Sequence, residues 1–128
     1  MPRYDLLPQH KGDDEAVACL YCLPLNELLP LLPQLLASIQ DCNWPIAGAA
    51  WDLLSLHVQE LEPTILEVLA DTDETWKSNV MYLLQQSALP ALSPVLRQAV
   101  ERIAYTPTRQ EITEEADESA RALLAHFA

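Results

Sequence analysis

Cys19 and Cys22 are separated by two residues, a spacing that occurs in zinc sites and in thiol redox sites. A structural zinc site needs four nitrogen or sulfur ligands in a tetrahedron. The other candidate ligands are dispersed and form no second pair: Cys42, His10, His57 and His126. A thioredoxin-like site needs a strand-to-helix junction, whereas this segment has helical spacing. We therefore expect both thiols to share one helix face and pack in the core. A metal-binding or enzymatic role for Cys19 and Cys22 is the alternative.

Other catalytic chemistry has little support in the sequence. Gly12 and Gly48 are the only glycines, so a glycine-rich phosphate loop is excluded. His57 lies near the end of a predicted helix, where it suits the helix dipole better than catalysis. The serines that could act as nucleophiles fall within helical runs: Ser38, Ser55, Ser78 and Ser87. We expect no enzymatic activity, no catalytic residue, no cofactor and no bound metal.

The acidic residues are the most organised polar groups of the chain. The net charge is -12, which repels nucleic acid and anionic lipid and attracts a basic protein. Four glutamates recur at i, i+3, i+4 and i+7 on the predicted last helix, and like charges at this spacing repel one another. A cationic partner would relieve that repulsion, although a solvated face that only keeps the protein soluble is the alternative. The candidate partner-binding residues are Glu60, Glu67, Asp71, Glu74, Glu111, Glu114, Glu115 and Glu118.

Helices must position these residues, because no sustained alternation of apolar and polar residues predicts a strand. The apolar residues of 31–39 follow i, i+1, i+4, i+5 and i+8, which predicts one helix. Similar spacing predicts an N-terminal helix from Asp13 or Asp14, and further helices in 44–58, 65–69, 76–84, 92–103 and 112–127. The expected N-caps are Ser93 before Pro94, Thr108 in a capping box with Glu111, Asn43 before Trp44 and Pro45, and Asp73 or Thr75 before Trp76.

Two segments of the chain share a similar residue pattern. In "QDCNWPIAG" (40–48) and "ADTDETWKS" (70–78), an apolar run ends in Asp and a Trp opens the next run. Pro33, Pro63 and Pro94 recur at spacings of 30 and 31 residues. A helix, an acidic turn and a helix cannot bury their apolar faces alone, so neighbouring units must stack. We expect one all-α domain over residues 1–128, a HEAT-like α-solenoid of about six or seven helices. The expected structural residues at its seams are Trp44, Pro45, Trp51 and Trp76.

Several motifs together resemble a known family. They are "YDLLPQHKGDDE", "LLPQLLASIQDCNWPIA", "VLADTDETWK" and "RIAYTPTRQEITEEADESARALL", which cover nearly the whole chain. As a set they are similar to an uncharacterised, largely bacterial family, domain of unknown function 5071. The resemblance implies a small, all-helical, HEAT-like domain, and it carries over no catalytic residue.

The function expected from these observations is protein binding without catalysis. The N-terminal segment lacks an apolar signal region and no stretch predicts a membrane span, so we expect a cytoplasmic protein that binds neither nucleic acid nor membrane. The three sparse cysteines also suit reduced thiols in the cytoplasm. A sharper hypothesis is an immunity or antitoxin protein that neutralises a basic toxin such as a nuclease. A self-associating scaffold is a further alternative, and the oligomeric state stays open.

Overall fold

The computed structural model describes residues 3–41 and 43–128, and the regular structure in this part of the chain is entirely helical. Single 3-10 turns cover Tyr4–Leu6, Leu29–Leu31 and Leu36–Ile39. The α-helices are α1 (Asp14–Leu20), α2 (Leu25–Leu28), α3 (Leu32–Leu35), α4 (Pro45–Ser55), α5 (Glu62–Leu69), α6 (Glu74–Gln86), α7 (Pro94–Tyr105), α8 (Arg109–Thr113) and α9 (Ala116–His126).

The segment 25–39 alternates between α-helical and 3-10 turns, so the single helix predicted for 31–39 is wrong. Pro30 and Pro33 lack the N–H that an α-helix uses at each position, and each lies in the first turn of a new short element. The carbonyls left free at the end of the segment are bonded from α6. Trp76 Nε1 donates to the Leu36 carbonyl at 3.2 Å, and Asn79 Nδ2 donates to the Ile39 carbonyl at 2.7 Å.

Three of the predicted N-caps are confirmed. The Ser93 hydroxyl accepts from the Leu96 N–H at 3.2 Å at the start of α7, and an Asp73 carboxylate oxygen accepts from the Trp76 N–H at 3.0 Å at the start of α6. Thr108 opens α8 in a reciprocal capping box. Each cap satisfies an N–H that has no partner within the helix.

The predicted Asn43 cap of α4 is wrong. The Asn43 N–H donates to the Asp41 carboxylate at 2.8 Å, so this residue belongs to a turn that precedes the helix. Trp44 takes the N-cap position without a side-chain cap, and α4 begins at Pro45. The similarity between segments 40–48 and 70–78 is therefore inexact, because Trp44 precedes its helix whereas Trp76 is the third residue of α6.

The last predicted helix is broken at Glu115, which has a φ of 64° in the left-handed region. Helix α8 ends at Thr113, and α9 starts at Ala116. The four glutamates at 111, 114, 115 and 118 therefore do not form the single helical stripe that their spacing predicts.

The helices pack around a cluster of buried apolar side chains that extends from Val17 to Leu124. Helix α9 packs against both α6 and α7, while α5 also contacts α6 and α7. At the other end, α4 packs against α1, the 36–39 turn and α6. Helix α6 therefore contacts both halves of the fold.

Candidate functional site

The predicted acidic surface divides into exposed and buried residues. Glu74 and Glu111 are buried, with 5% and 0% of their surface exposed, so their assignment to a partner-binding surface is wrong. The capping box already committed the Glu111 carboxylate to the Thr108 backbone, and that signal was present in the sequence. The residues that do lie on the surface are Glu60, Glu67, Asp71, Glu114, Glu115 and Glu118.

Glu111 is the centre of a buried charge cluster. Its Oε2 atom lies 3.0 Å from Lys77 Nζ and 2.5 Å from Arg102 Nη2, and its Oε1 atom lies 2.9 Å from Arg102 Nη1. The Thr108 N–H donates to Oε1 at 2.8 Å. Lys77 Nζ also donates to Glu74 Oε1 at 3.1 Å. The two carboxylates and two cations therefore form a neutral network that ties α6, α7 and α8 together.

The hydrogen bonds of the cluster decide its ionisation. Burial alone raises the pKa of Glu111, but the bonds from Arg102, the Thr108 N–H and Lys77 outweigh it and lower the pKa to about 2. The bond to Glu111 raises the pKa of Arg102 above its ordinary value. Both groups are therefore charged at neutral pH. A cleft of about 570 Å³ borders the cluster, with Asp71 and Arg109 on its lining.

A different surface carries exposed aromatic side chains. We call Tyr21, Trp51, Asp52, Leu56 and Tyr82 the α4 surface, because three of them lie on α4 or at its end. The Trp51 and Tyr82 rings pack at a tilt of 48°, with their centroids 5.6 Å apart. Trp51 is half-buried, whereas Tyr82 is 53% exposed and Leu56 is 68% exposed. Burial and the charge of Asp52 raise the pKa of Tyr21.

The α4 surface adjoins a cleft of about 270 Å³ between the end of α4 and the loop after α6. Leu56 lines this cleft, and so does Glu60, one of the predicted partner-binding acids. His57 Nδ1 lies 4.0 Å from Glu60 Oε2, while Asp52 has no ion pair within the described residues. The cleft thus combines apolar side chains with one acidic side chain, that of Glu60. Sequence reasoning missed the cleft because helical spacing alone cannot show which apolar residues stay uncovered.

The residues predicted to be structural differ in their burial. Trp76 is half-buried and bonds to Leu36, as described above. Trp44 is half-buried, and Lys11 Nζ lies 4.9 Å from the centroid of its ring, within the range of a cation–π contact. Pro45 is exposed in the first turn of α4. Trp51 packs against the core on one side and belongs to the α4 surface on the other.

Comparison with known proteins places the chain in a family. The profile of the family described as Domain of unknown function (DUF5071) matches residues 6–124. The chain belongs to that family. None of the curated proteins matches it significantly.

The cysteine pair of this DUF5071 chain is exposed, so the prediction that both thiols pack in the core is wrong. Helix α1 ends at Leu20, so Cys22 lies in the following turn and does not share a helix face with Cys19. Val17 and Leu20 take the buried positions instead. Among residues 3–41 and 43–128, no three His, Cys, Asp or Glu side chains are grouped to hold a metal ion.

Among the residues that the structure describes, none of the helices has the length and apolar character needed to cross a bilayer.

Proposed function

We propose that this chain is a non-catalytic interaction module that binds a basic protein through the α4 surface. The observation that carries the proposal is the Trp51–Tyr82 pair together with the exposed side chains of Tyr21 and Leu56. The Asp52 carboxylate lies near Tyr21 on the same surface. Trp and Tyr are enriched among the residues that contribute most to protein–protein binding. Burying Tyr82 and Leu56 under a partner would remove apolar surface from water at the centre of such an interface.

Charge determines which partner suits the α4 surface. Asp52 belongs to this surface, Glu60 lines the adjoining cleft, and the chain as a whole carries a net charge of -12. Lys and Arg side chains of a partner would pair with these carboxylates and stack on the aromatic rings. The remaining exposed acids act at a distance, because they raise the rate at which a basic protein approaches. Those acids include Glu67, Asp71, Glu114, Glu115 and Glu118.

We further propose a HEAT-like architecture for the chain and a toxin as its biological partner. The recurrence of Pro33, Pro63 and Pro94 supports a HEAT-like helical repeat, a fold that commonly presents a binding surface. The acidic charge supports an immunity or antitoxin role in which the basic partner is a toxin such as a nuclease. The sparse cysteines support a cytoplasmic location.

The test is affinity capture of host proteins by matched tyrosine variants. Tyr82→Ala removes an exposed ring of the α4 surface, and Tyr105→Ala removes a 66% exposed ring from the end of α7. A specific basic partner should lose about tenfold or more in affinity for Tyr82→Ala, which corresponds to about 1.4 kcal/mol, and keep its affinity for Tyr105→Ala. Binding should also weaken between about 50 mM and about 300 mM salt, because exposed charges are screened.

Two results would refute this assignment. Equal effects of Tyr82→Ala and Tyr105→Ala on a captured protein would show that the α4 surface is not its binding site. A concentration-dependent dimer in analytical ultracentrifugation that is lost only in Tyr82→Ala would show that the α4 surface serves self-association instead.

A further inference from the structure

The exposed thiols of Cys19 and Cys22 need an explanation that packing does not supply. Cysteine is among the residue types most often buried, yet both of these side chains are exposed. Leu20, between them, is fully buried and anchors the end of α1 in the core. Tyr21 is 49% exposed and belongs to the α4 surface. The two thiols therefore flank an anchored segment and face solvent.

The backbone holds the two cysteines close together. The Cys22 N–H donates to the Cys19 carbonyl at 3.1 Å, and the Leu23 N–H donates to the Leu20 carbonyl at 3.2 Å. Such a turn keeps the first and fourth Cα atoms within about 7 Å. A disulfide needs its Cα atoms about 4.4 to 6.8 Å apart. Closing a Cys19–Cys22 bond is therefore compatible with the turn that already exists.

A metal ion fits this arrangement less well. Zinc prefers four ligands, and the described residues hold no group of three or more His, Cys, Asp or Glu around the two thiols. Two neighbouring thiols without further ligands are suited to thiol–disulfide exchange, which needs access for an attacking disulfide and a second thiol to resolve the adduct.

We propose that Cys19 and Cys22 form a dithiol site that reacts with low-molecular-weight disulfides such as oxidised glutathione. One cysteine, as the thiolate, attacks a sulfur of the small disulfide, forms a mixed disulfide and releases one small thiolate. The second cysteine loses its proton and attacks the protein sulfur, which breaks the mixed disulfide and releases the second small thiol. Two electrons and two protons leave the protein, and one small disulfide becomes two thiols.

The experiment uses the full chain with Cys42→Ser, so that only two thiols can react. The reduced protein is incubated with oxidised glutathione, quenched with N-ethylmaleimide and weighed intact. The expected product is a monomer that has lost two hydrogen atoms, takes up no N-ethylmaleimide and yields a peptide linking Cys19 to Cys22. Dithiothreitol should restore both thiols, and the circular dichroism spectrum should stay that of the folded protein.

Matched single variants separate this site from two independent reactive thiols. Adding Cys19→Ser or Cys22→Ser removes the resolving partner, so each variant should accumulate a stable glutathione adduct, which dithiothreitol removes. The proposal is overturned if the protein with both cysteines stops at the same adduct or forms covalent dimers. None of these measurements involves a protein partner, so their outcome is independent of the interaction function proposed above.

Discussion

Replacing Glu111 with Gln tests whether the buried charge cluster stabilises the fold. The glutamine amide has nearly the same shape, and a Gln at this position can still accept the Thr108 N–H in the capping box. The substitution therefore removes the negative charge while the helix cap remains. Lys77, which is 4% exposed, would then be left with Glu74 as its one anionic partner within the described residues.

The stability that Glu111→Gln should lose follows from the pKa of Glu111. A shift from 4.5 to about 2 corresponds to about 3 kcal/mol at neutral pH. The expected loss of unfolding free energy is about 2 kcal/mol, because the Arg102 side chain is 44% exposed and solvent screens its charge. The folded-state pKa is lowered, so this stabilisation is complete above pH 4.5 and is lost as the pH falls from 4.5 through about 2.

The measurement is urea denaturation of the wild-type protein and Glu111→Gln at a series of pH values from 7 down to 2. The free energy of unfolding should differ by about 2 kcal/mol at pH 7, by less than half of that at pH 3, and by almost nothing at pH 2. Glu114→Gln is the matched control, because Glu114 is exposed, and it should change stability by less than about 0.5 kcal/mol. An equal difference at pH 7 and pH 3 would refute the charge-based explanation.

Substitutions at three further positions test local features of the fold by urea denaturation. Gly48→Ala should raise the free energy of unfolding by about 0.5 to 1 kcal/mol, because Gly48 lies within α4 and an added Cβ meets no atom within 4 Å; destabilisation would contradict this open space. Glu115→Gly should stabilise by about 1 kcal/mol, since glycine adopts a φ of 64° without strain; no gain would show that the left-handed residue is not strained. Trp76→Phe should destabilise the protein by about 1 kcal/mol through loss of the hydrogen bond to Leu36, and Trp76→Ala should destabilise it by about 3 kcal/mol. A Phe variant as unstable as the Ala variant would mean that the indole N–H bond, and not ring packing, is the dominant contribution.

Local sequence signals predicted the parts of the fold that depend on neighbouring residues. Helix α7 begins at Pro94 behind its Ser93 cap, and α8 begins behind Thr108, both as the caps indicate. The apolar spacing predicts a single helix over 31–39, but Pro30 and Pro33 divide this region into short elements. Those prolines interrupt the backbone hydrogen bonds whatever the side-chain pattern.

The candidate site was harder to predict, because its residues meet through the tertiary fold. Lys77 and Glu111 are 34 residues apart in the sequence, and no local pattern relates them. No glycine or asparagine marks the break at Glu115, so the glutamate spacing predicts a single continuous helix. The exposure of Cys19 and Cys22 depends on α1 ending at Leu20, and helix ends are less well specified than helix centres.

The separation of buried and exposed charges explains how an acidic surface coexists with a stable core. The cluster of Glu74, Lys77, Arg102 and Glu111 contains two charges of each sign, so the net charge of -12 is carried by the remaining side chains, most of which are exposed. The basic partner proposed above would be attracted by those exposed charges, while the cluster holds α6, α7 and α8 in place. Under the proposed function, folding and binding would depend on different carboxylates, because Glu111 lies within the core and Asp52 lies on the α4 surface.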